Sequence, residues 1–368
     1  MNNRPGLQLA RVAGFPVYLA PSWFVIAALV VVLFAPQVEV SAGLRPPQTY
    51  LVAAAYALLL LASVLVHELA HAFTARAVGL PVEQVVADLW GGHTQFSQEA
   101  PDPGRSALVA VAGPLSNAVL AGIGVLVLPG TDGEVTRLLV VAGIYANAFV
   151  AAFNLAPGLP LDGGRLVEAA VWAVSRRRWA GTLVAGWCGR VVAAGVVLWL
   201  VLLPLLDNRR PTAFGVVWAV LVAGLLWRGA SGAVELGQVL RSAQRLDLGS
   251  YLEPARALPL ASTGWRPAPS GGHVVALDEH GRPVGILRMQ DAMRHVGGQQ
   301  APGPQTPLSA VMTVLPSVVV VPADLSGEGV LRTLATNGAH VLVAVDPTGH
   351  VVGVADAQRL AHALTGRP

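Results

Sequence analysis

The chain has 368 residues, of which 54% are hydrophobic and only 12% charged, and its formal net charge is +3. With a mean hydropathy of +0.59, it is too apolar for an ordinary soluble enzyme and falls among membrane proteins. The basic side chains are all Arg and are spread over loops rather than gathered into a patch, which excludes nucleic acid as a partner; the single Cys188 excludes an intrachain disulfide framework.

Six apolar runs, at about 16–36, 50–72, 106–128, 136–156, 181–206 and 212–228, are each long enough, or nearly so, to span roughly 30 Å of hydrocarbon. The first has a basic start, an apolar core and Val40-Ser-Ala42, features shared with a cleaved signal peptide. It is read here as a retained helix, because its removal would invert the orientation that the later arginines favour.

The second run carries His67-Glu68-Leu-Ala-His71. Helix positions four apart share a face, so His67 and His71 can offer two imidazole nitrogens to one metal ion while Glu68 is left to act on water, the layout of a zinc hydrolase. A charged side chain at mid-helix in lipid costs roughly 2.5 to 3.5 kcal/mol on insertion scales and so asks for a compensating role. The alternative is that the three side chains pair with neighbouring helices and bind nothing.

After the second run, residues 82–96 read as two short strands around Gly91-Gly92, a hairpin at the membrane surface whose exposed edge could pair with an extended peptide. His93 lies in it, but a metal with four protein ligands would be structural, so it is a poor fourth ligand. The fourth run ends in Asn154-Leu-Ala-Pro157-Gly-Leu-Pro160-Leu-Asp162-Gly163-Gly164-Arg165, where two prolines stop the helix and Asp-Gly-Gly predicts a turn. An acid held there would meet the end of the second span. A catalytic zinc takes three protein ligands and leaves a fourth position for water, so Asp162 would complete the set; otherwise it is an ordinary turn or cap residue.

With a cytoplasmic N-terminus, six spans place Arg4, Arg11, Arg76, Arg105, Arg165, Arg176, Arg177 and Arg178 inside, against Arg45, Arg137, Arg209 and Arg210 outside. The C-terminus is then cytoplasmic too, and the host membrane is expected to be a bacterial plasma membrane, given the bias towards Arg, Ala, Val, Leu and Gly.

From Arg228 onward the apolar runs shorten and alternate with Gly, Pro, Asp and Arg, which divides the chain into a membrane domain, 1–230, and a water-soluble domain, 231–368. Asp278, Gly281, Val284 and Gly285 recur 68 residues later as Asp346, Gly349, Val352 and Gly353. Both copies, about 248–299 and 306–366, read strand, Asp-x-x-Gly turn, strand, helix, and this resembles a pair of CBS modules. The first copy is short and rich in Pro and Gly before His273, as a degenerate fold would be.

HELAH on one span and NLAPGLPLDGGR at the end of another, with Gly113-Pro114-Leu-Ser-Asn117 between them, resemble the site-2 proteases, a family of intramembrane zinc metalloproteases. The resemblance covers about residues 1–230 and implies an α-helical membrane fold of about six transmembrane helices with a small reentrant β-hairpin, followed by an α/β tandem CBS domain. It implies one zinc ion per chain on His67, His71 and Asp162, general-base work by Glu68 and substrate contact by Asn154. The implied substrate is a single-span membrane protein, such as a membrane-anchored transcriptional regulator; the rival class is a non-catalytic membrane protein, either an inactive relative or a CBS-regulated transport component. Adenosine-binding CBS modules carry Gly, two apolar residues, Ser or Thr, then Asp three positions on. Here Gly285-Ile-Leu-Arg288-Met-Gln-Asp291 keeps the acid but loses the hydroxyl. Asp291 is therefore the candidate contact for an adenine nucleotide, and a homodimer through the CBS modules is the other role open to the pair.

Overall fold

The computed structural model describes residues 5–88, 92–97, 100–263, 272–287, 307–310, 312–314 and 318–365, without the side chains of 213 and 214. Two compact units are present, Met1–Gly237 and Gln238–Pro368.

The first unit opens with a sheet. Strands β1 (Leu7–Val12) and β2 (Phe15–Leu19) pair antiparallel, with Val12 opposite Phe15 across a two-residue turn. Both turn residues, Ala13 and Gly14, have positive φ, as the twist of a tight hairpin demands. The helix α1 (Trp23–Ala42) starts only after this hairpin. The span expected from residue 16 is corrected accordingly: Phe15, Val17 and Leu19 are buried in alternation with Pro16 and Tyr18, a period of two that a hydropathy average does not register.

Helix α2 (Gln48–Ala77) follows, then β3 (Val82–Ala87) and β4 (His93–Phe96), which pair antiparallel with Val86 opposite His93. This is the expected hairpin, although Trp90 and Gly91 of its turn lie outside the described residues. It does not stand alone, because β2 runs parallel to β3 and the order across the sheet is β1-β2-β3-β4. Phe15, Val17 and Val85 pack on Ala72 of α2, with Leu65 and Leu69 beside it, so the sheet is fixed to the helix that carries the histidines.

Helices α3 (Pro103–Val127) and α4 (Glu134–Asn154) pack on α2, α5 (Asp162–Ser175) packs on α3, and α6 (Arg178–Val197) packs on α5. A π-turn over Leu198–Leu202 and the short α7 (Leu203–Leu206) extend α6, and α8 (Ala213–Arg245) carries the chain onward. Among the described residues, six helices are long and apolar enough to cross a membrane: 23–42, 48–77, 103–130, 134–154, 178–206 and 215–245. Not every arginine lies in a loop: Arg228 and Arg241 fall within α8, and Arg190 falls within α6. The Arg190 guanidinium lies over the rings of Trp187 (4.6 Å) and Trp227 (5.4 Å) and donates to Ser231 Oγ at 3.2 Å, which lets aromatic faces shield a cation inside an apolar helix.

The second unit holds a seven-stranded sheet built from β5 (Glu253–Pro259), β6 (His273–Leu277), β7 (Pro283–Leu287), β8 (Thr313–Val314), β9 (Val318–Pro322), β10 (Val341–Val345) and β11 (Val351–Asp356). Helices α9 (Gly327–Asn337) and α10 (Ala357–Thr365) give the second copy the order strand, helix, strand, strand, helix of a CBS module. The 68-residue repeat reaches the strand register. Val274↔Leu287, Val275↔Ile286, Ala276↔Gly285 and Leu277↔Pro283 in β6–β7 become Leu342↔Ala355, Val343↔Val354, Ala344↔Gly353 and Val345↔Val351 in β10–β11, with the bulge at the same place. Asp278 and Asp346 tie the matching turns by accepting backbone N–H groups two and four residues on, at 2.7 to 2.9 Å. The Arg282 N–H holds the Asp278 carboxyl below its ordinary pKa, and the Thr348 hydroxyl does the same for Asp346. Between its first two strands the first copy has 13 residues, 260–272, against 18 in the second, 323–340, so it is the shorter one. Asp291 lies outside the described residues, as does most of the Gly297–Pro307 segment.

Candidate metal centre

His67, Glu68 and His71 are all buried on one stretch of α2, and Asp162 meets them from the first turn of α5. The Asp-Gly-Gly segment is thus the start of a helix rather than the expected turn. A Cβ at Gly164 would fall within 2.6 Å of the backbone of Gly158 and Leu159, so this first turn presses on its own incoming loop in a way that only glycine permits. An acid in the first turn also faces the positive end of the helix dipole.

The ligand atoms converge. His67 Nε2 is 3.1 Å from Asp162 Oδ2 and 3.1 Å from His71 Nε2, and His71 Nε2 is 3.3 Å from the same carboxylate oxygen. Ligands about 2.0 to 2.2 Å from a tetrahedral zinc lie roughly 3.3 to 3.6 Å apart, close to these separations. The outer ring nitrogens are engaged elsewhere: His71 Nδ1 lies 2.7 Å from the Val109 carbonyl, and His67 Nδ1 lies 2.6 Å from Asn117 Oδ1. A carbonyl only accepts, so each Nδ1 carries its hydrogen and each Nε2 presents a lone pair. Two lone pairs and a carboxylate oxygen facing one point repel each other unless a cation lies between them. The donor set fits zinc, and the closeness of α3 supports it: a Cβ on Gly113 would come within 2.5 Å of both Nε2 atoms, so only a hydrogen fits there.

Glu68 points beside this cluster. Thr94 on β4 donates its hydroxyl to Glu68 Oε2 at 2.8 Å, which ties the sheet to the acid. Asn117 belongs to a buried polar group with Ser63 of α2 and Asn147 of α4. Thr94, Ser63 and Asn147 received no role from the sequence, and Asn117 entered only through the Gly113–Asn117 element; for Ser63, Asn117 and Asn147 the available signal was a polar side chain inside an apolar span. Asn154, the last residue of α4, is half-buried. His93 is exposed and pairs with Asp88 at 3.3 Å, apart from the three-ligand cluster.

The profile of peptidase family M50 matches residues 55–133 and 130–198. The chain is 28% identical to a Synechocystis sp. protein named as a zinc metalloprotease, over 96% of this chain and 93% of that protein. A Mycobacterium tuberculosis protein, also named as a zinc metalloprotease, is 34% identical over 71% of this chain and 66% of its own. Among solved structures, the site-2 protease from Methanocaldococcus jannaschii is similar over 62% of this chain and 94% of that one, at 21% identity and a TM-score of 0.43.

Proposed function

The chain belongs to peptidase family M50, the site-2 type of membrane metalloprotease, and from that premise we propose that it holds one zinc ion on His67, His71 and Asp162 and hydrolyses a peptide bond within or near the transmembrane segment of a single-span membrane protein. The observation that carries this reading is the convergence of two imidazole lone pairs and one carboxylate oxygen within 3.3 Å, beside a buried Glu68. Zinc, when bound, supplies Lewis-acid chemistry and lowers the pKa of water.

The residues of the chain do the rest. Thr94 holds the Glu68 carboxylate by Oε2, and the other oxygen takes the proton of the attacking water and returns it to the leaving amine. A helical substrate hides its carbonyls, so it must be extended first; the edge of β4 offers it backbone partners, and Asn154 contacts the extended chain. The CBS pair regulates the reaction, through an adenine nucleotide contacting Asp291 or by pairing two chains. The test is a comparison of membrane proteomes from cells with the intact enzyme and with Glu68→Gln: a cleaved fragment of a single-span protein should accumulate only with the former. No such fragment in any condition that activates the enzyme would leave the non-catalytic class.

Two further outcomes are expected. Thr94→Val keeps the volume but removes the hydrogen bond to a charged group, worth about 1.5 to 3 kcal/mol, so kcat/KM should fall by about 10- to 100-fold with zinc content unchanged. A wild-type rate would remove Thr94 from the machinery. Reporter fusions after Pro368 and within 207–211 should report cytoplasm and exterior respectively, as the arginine distribution requires; the same side for both would mean that 178–206 and 215–245 do not each place their ends as proposed.

A further inference from the structure

We propose that Asn147 and Ser63 are positioning residues for the metal centre, because through Asn117 they dictate which ring nitrogen of His67 carries the hydrogen. The inference rests on the reading of His67 as a metal ligand.

At one end of the network the polarity is fixed. The backbone carbonyl of Gly143 can only accept, and Asn147 Nδ2 donates to it at 2.9 Å. The other face of the same amide must then be its oxygen. That oxygen receives the Ser63 hydroxyl at 2.7 Å and Asn117 Nδ2 at 2.8 Å. Ser63 has spent its only hydrogen, so its oxygen accepts from Asn117 Nδ2 at 2.9 Å. With both amide hydrogens of Asn117 committed on this side, Oδ1 faces His67 Nδ1 at 2.6 Å and requires a hydrogen there. The lone pair of His67 is thereby sent to Nε2, towards Asp162 and His71.

Each link follows from the one before, and none of them involves a metal. Ser63, Asn117 and Asn147 come from α2, α3 and α4 and are buried, so water does not stand in for a lost member. The two histidines differ in this respect: His71 is set by one bond to the main chain at Val109, whereas His67 depends on three side chains. Without the Asn147 oxygen, the Ser63 hydroxyl can donate to Asn117 instead, and the Asn117 amide can turn its NH2 towards His67. The imidazole then carries its hydrogen on Nε2, where it can donate to Asp162 or His71, and the cluster satisfies itself with no metal.

The test uses the purified full chain, with zinc affinity read by chelator competition and the His67 tautomer read from imidazole 15N shifts of metal-free protein. Asn147→Leu should weaken zinc binding by about 10- to 100-fold and move His67 towards the Nε2–H form. Asn147→Asp, when protonated, can donate to Gly143 and accept from the other two, and should stay near wild type. Wild-type affinity and unchanged shifts in Asn147→Leu would overturn the inference. If that variant does not fold, the metal-free wild type decides, since a His67 protonated at Nε2 is incompatible with the proposal. A wild type that binds no zinc overturns the metal reading instead, while the ring shifts still test the network.

Discussion

Glu68→Gln should keep the fold and the zinc while peptide hydrolysis falls by about 10²- to 10⁴-fold, the usual contribution of a positioned general base. Glutamine has the same length, and its amide oxygen can still accept the Thr94 hydroxyl that Glu68 Oε2 accepts at 2.8 Å. What it cannot do is take a proton from water near neutral pH. The measurement is cleavage of a confirmed substrate alongside metal analysis of the same preparation. A variant cutting at the wild-type rate would move the base to another residue; one that lost its zinc as well would make Glu68 part of the site's architecture rather than its proton acceptor.

Removing both imidazoles should abolish metal retention. His67→Ala, His71→Ala leaves Asp162 as the sole ligand of the three, and one carboxylate cannot hold zinc against dialysis when the site was built for three ligands. Asp162→Asn is the milder variant: the amide oxygen occupies the same place as a weaker donor without charge, so zinc should be retained less tightly but not lost outright. Metal analysis showing about one zinc per chain in wild type and in the double variant alike would place the ion elsewhere. Activity should follow the metal, because two of the ligands, His67 and His71, share one helix and one buried environment with Glu68.

The cluster itself was largely legible in the sequence, because its spacing is a property of one helix. His67 and His71 sit one turn apart on α2 whatever the rest of the chain does. Asp162 was reachable because a proline-terminated span had to end near the same level. The partners of those residues were not legible as partners, since they arise from contacts between residues 26 to 84 apart in the chain, such as Glu68 with Thr94, His67 with Asn117 and Ser63 with Asn147. A lone Asn or Ser in an apolar run declares that it needs a partner but does not name it. The hairpin β1–β2 was misread for a different reason: an apolar pentapeptide adds the same hydropathy to a window whether it is a strand or the first turn of a helix. The 68-residue repeat carried further than its motif residues implied, because a recurring Asp-x-x-Gly turn fixes strand register on both sides of it.

Strand β4 is at an edge of its sheet among the described residues, yet its Thr94 reaches Glu68, which lies nine residues, or about 14 Å, before the end of α2. Within hydrocarbon the outward N–H and C=O groups of an edge strand would face a medium that offers them nothing, and lipid tails do not tolerate that exposure. An edge held at that level therefore needs either water or a polypeptide along it. The consequence concerns the second reactant. Every bond hydrolysed consumes a water molecule, which an apolar bilayer does not supply; under the proposed function an open β4 edge would admit both the extended chain and the water that Glu68 needs.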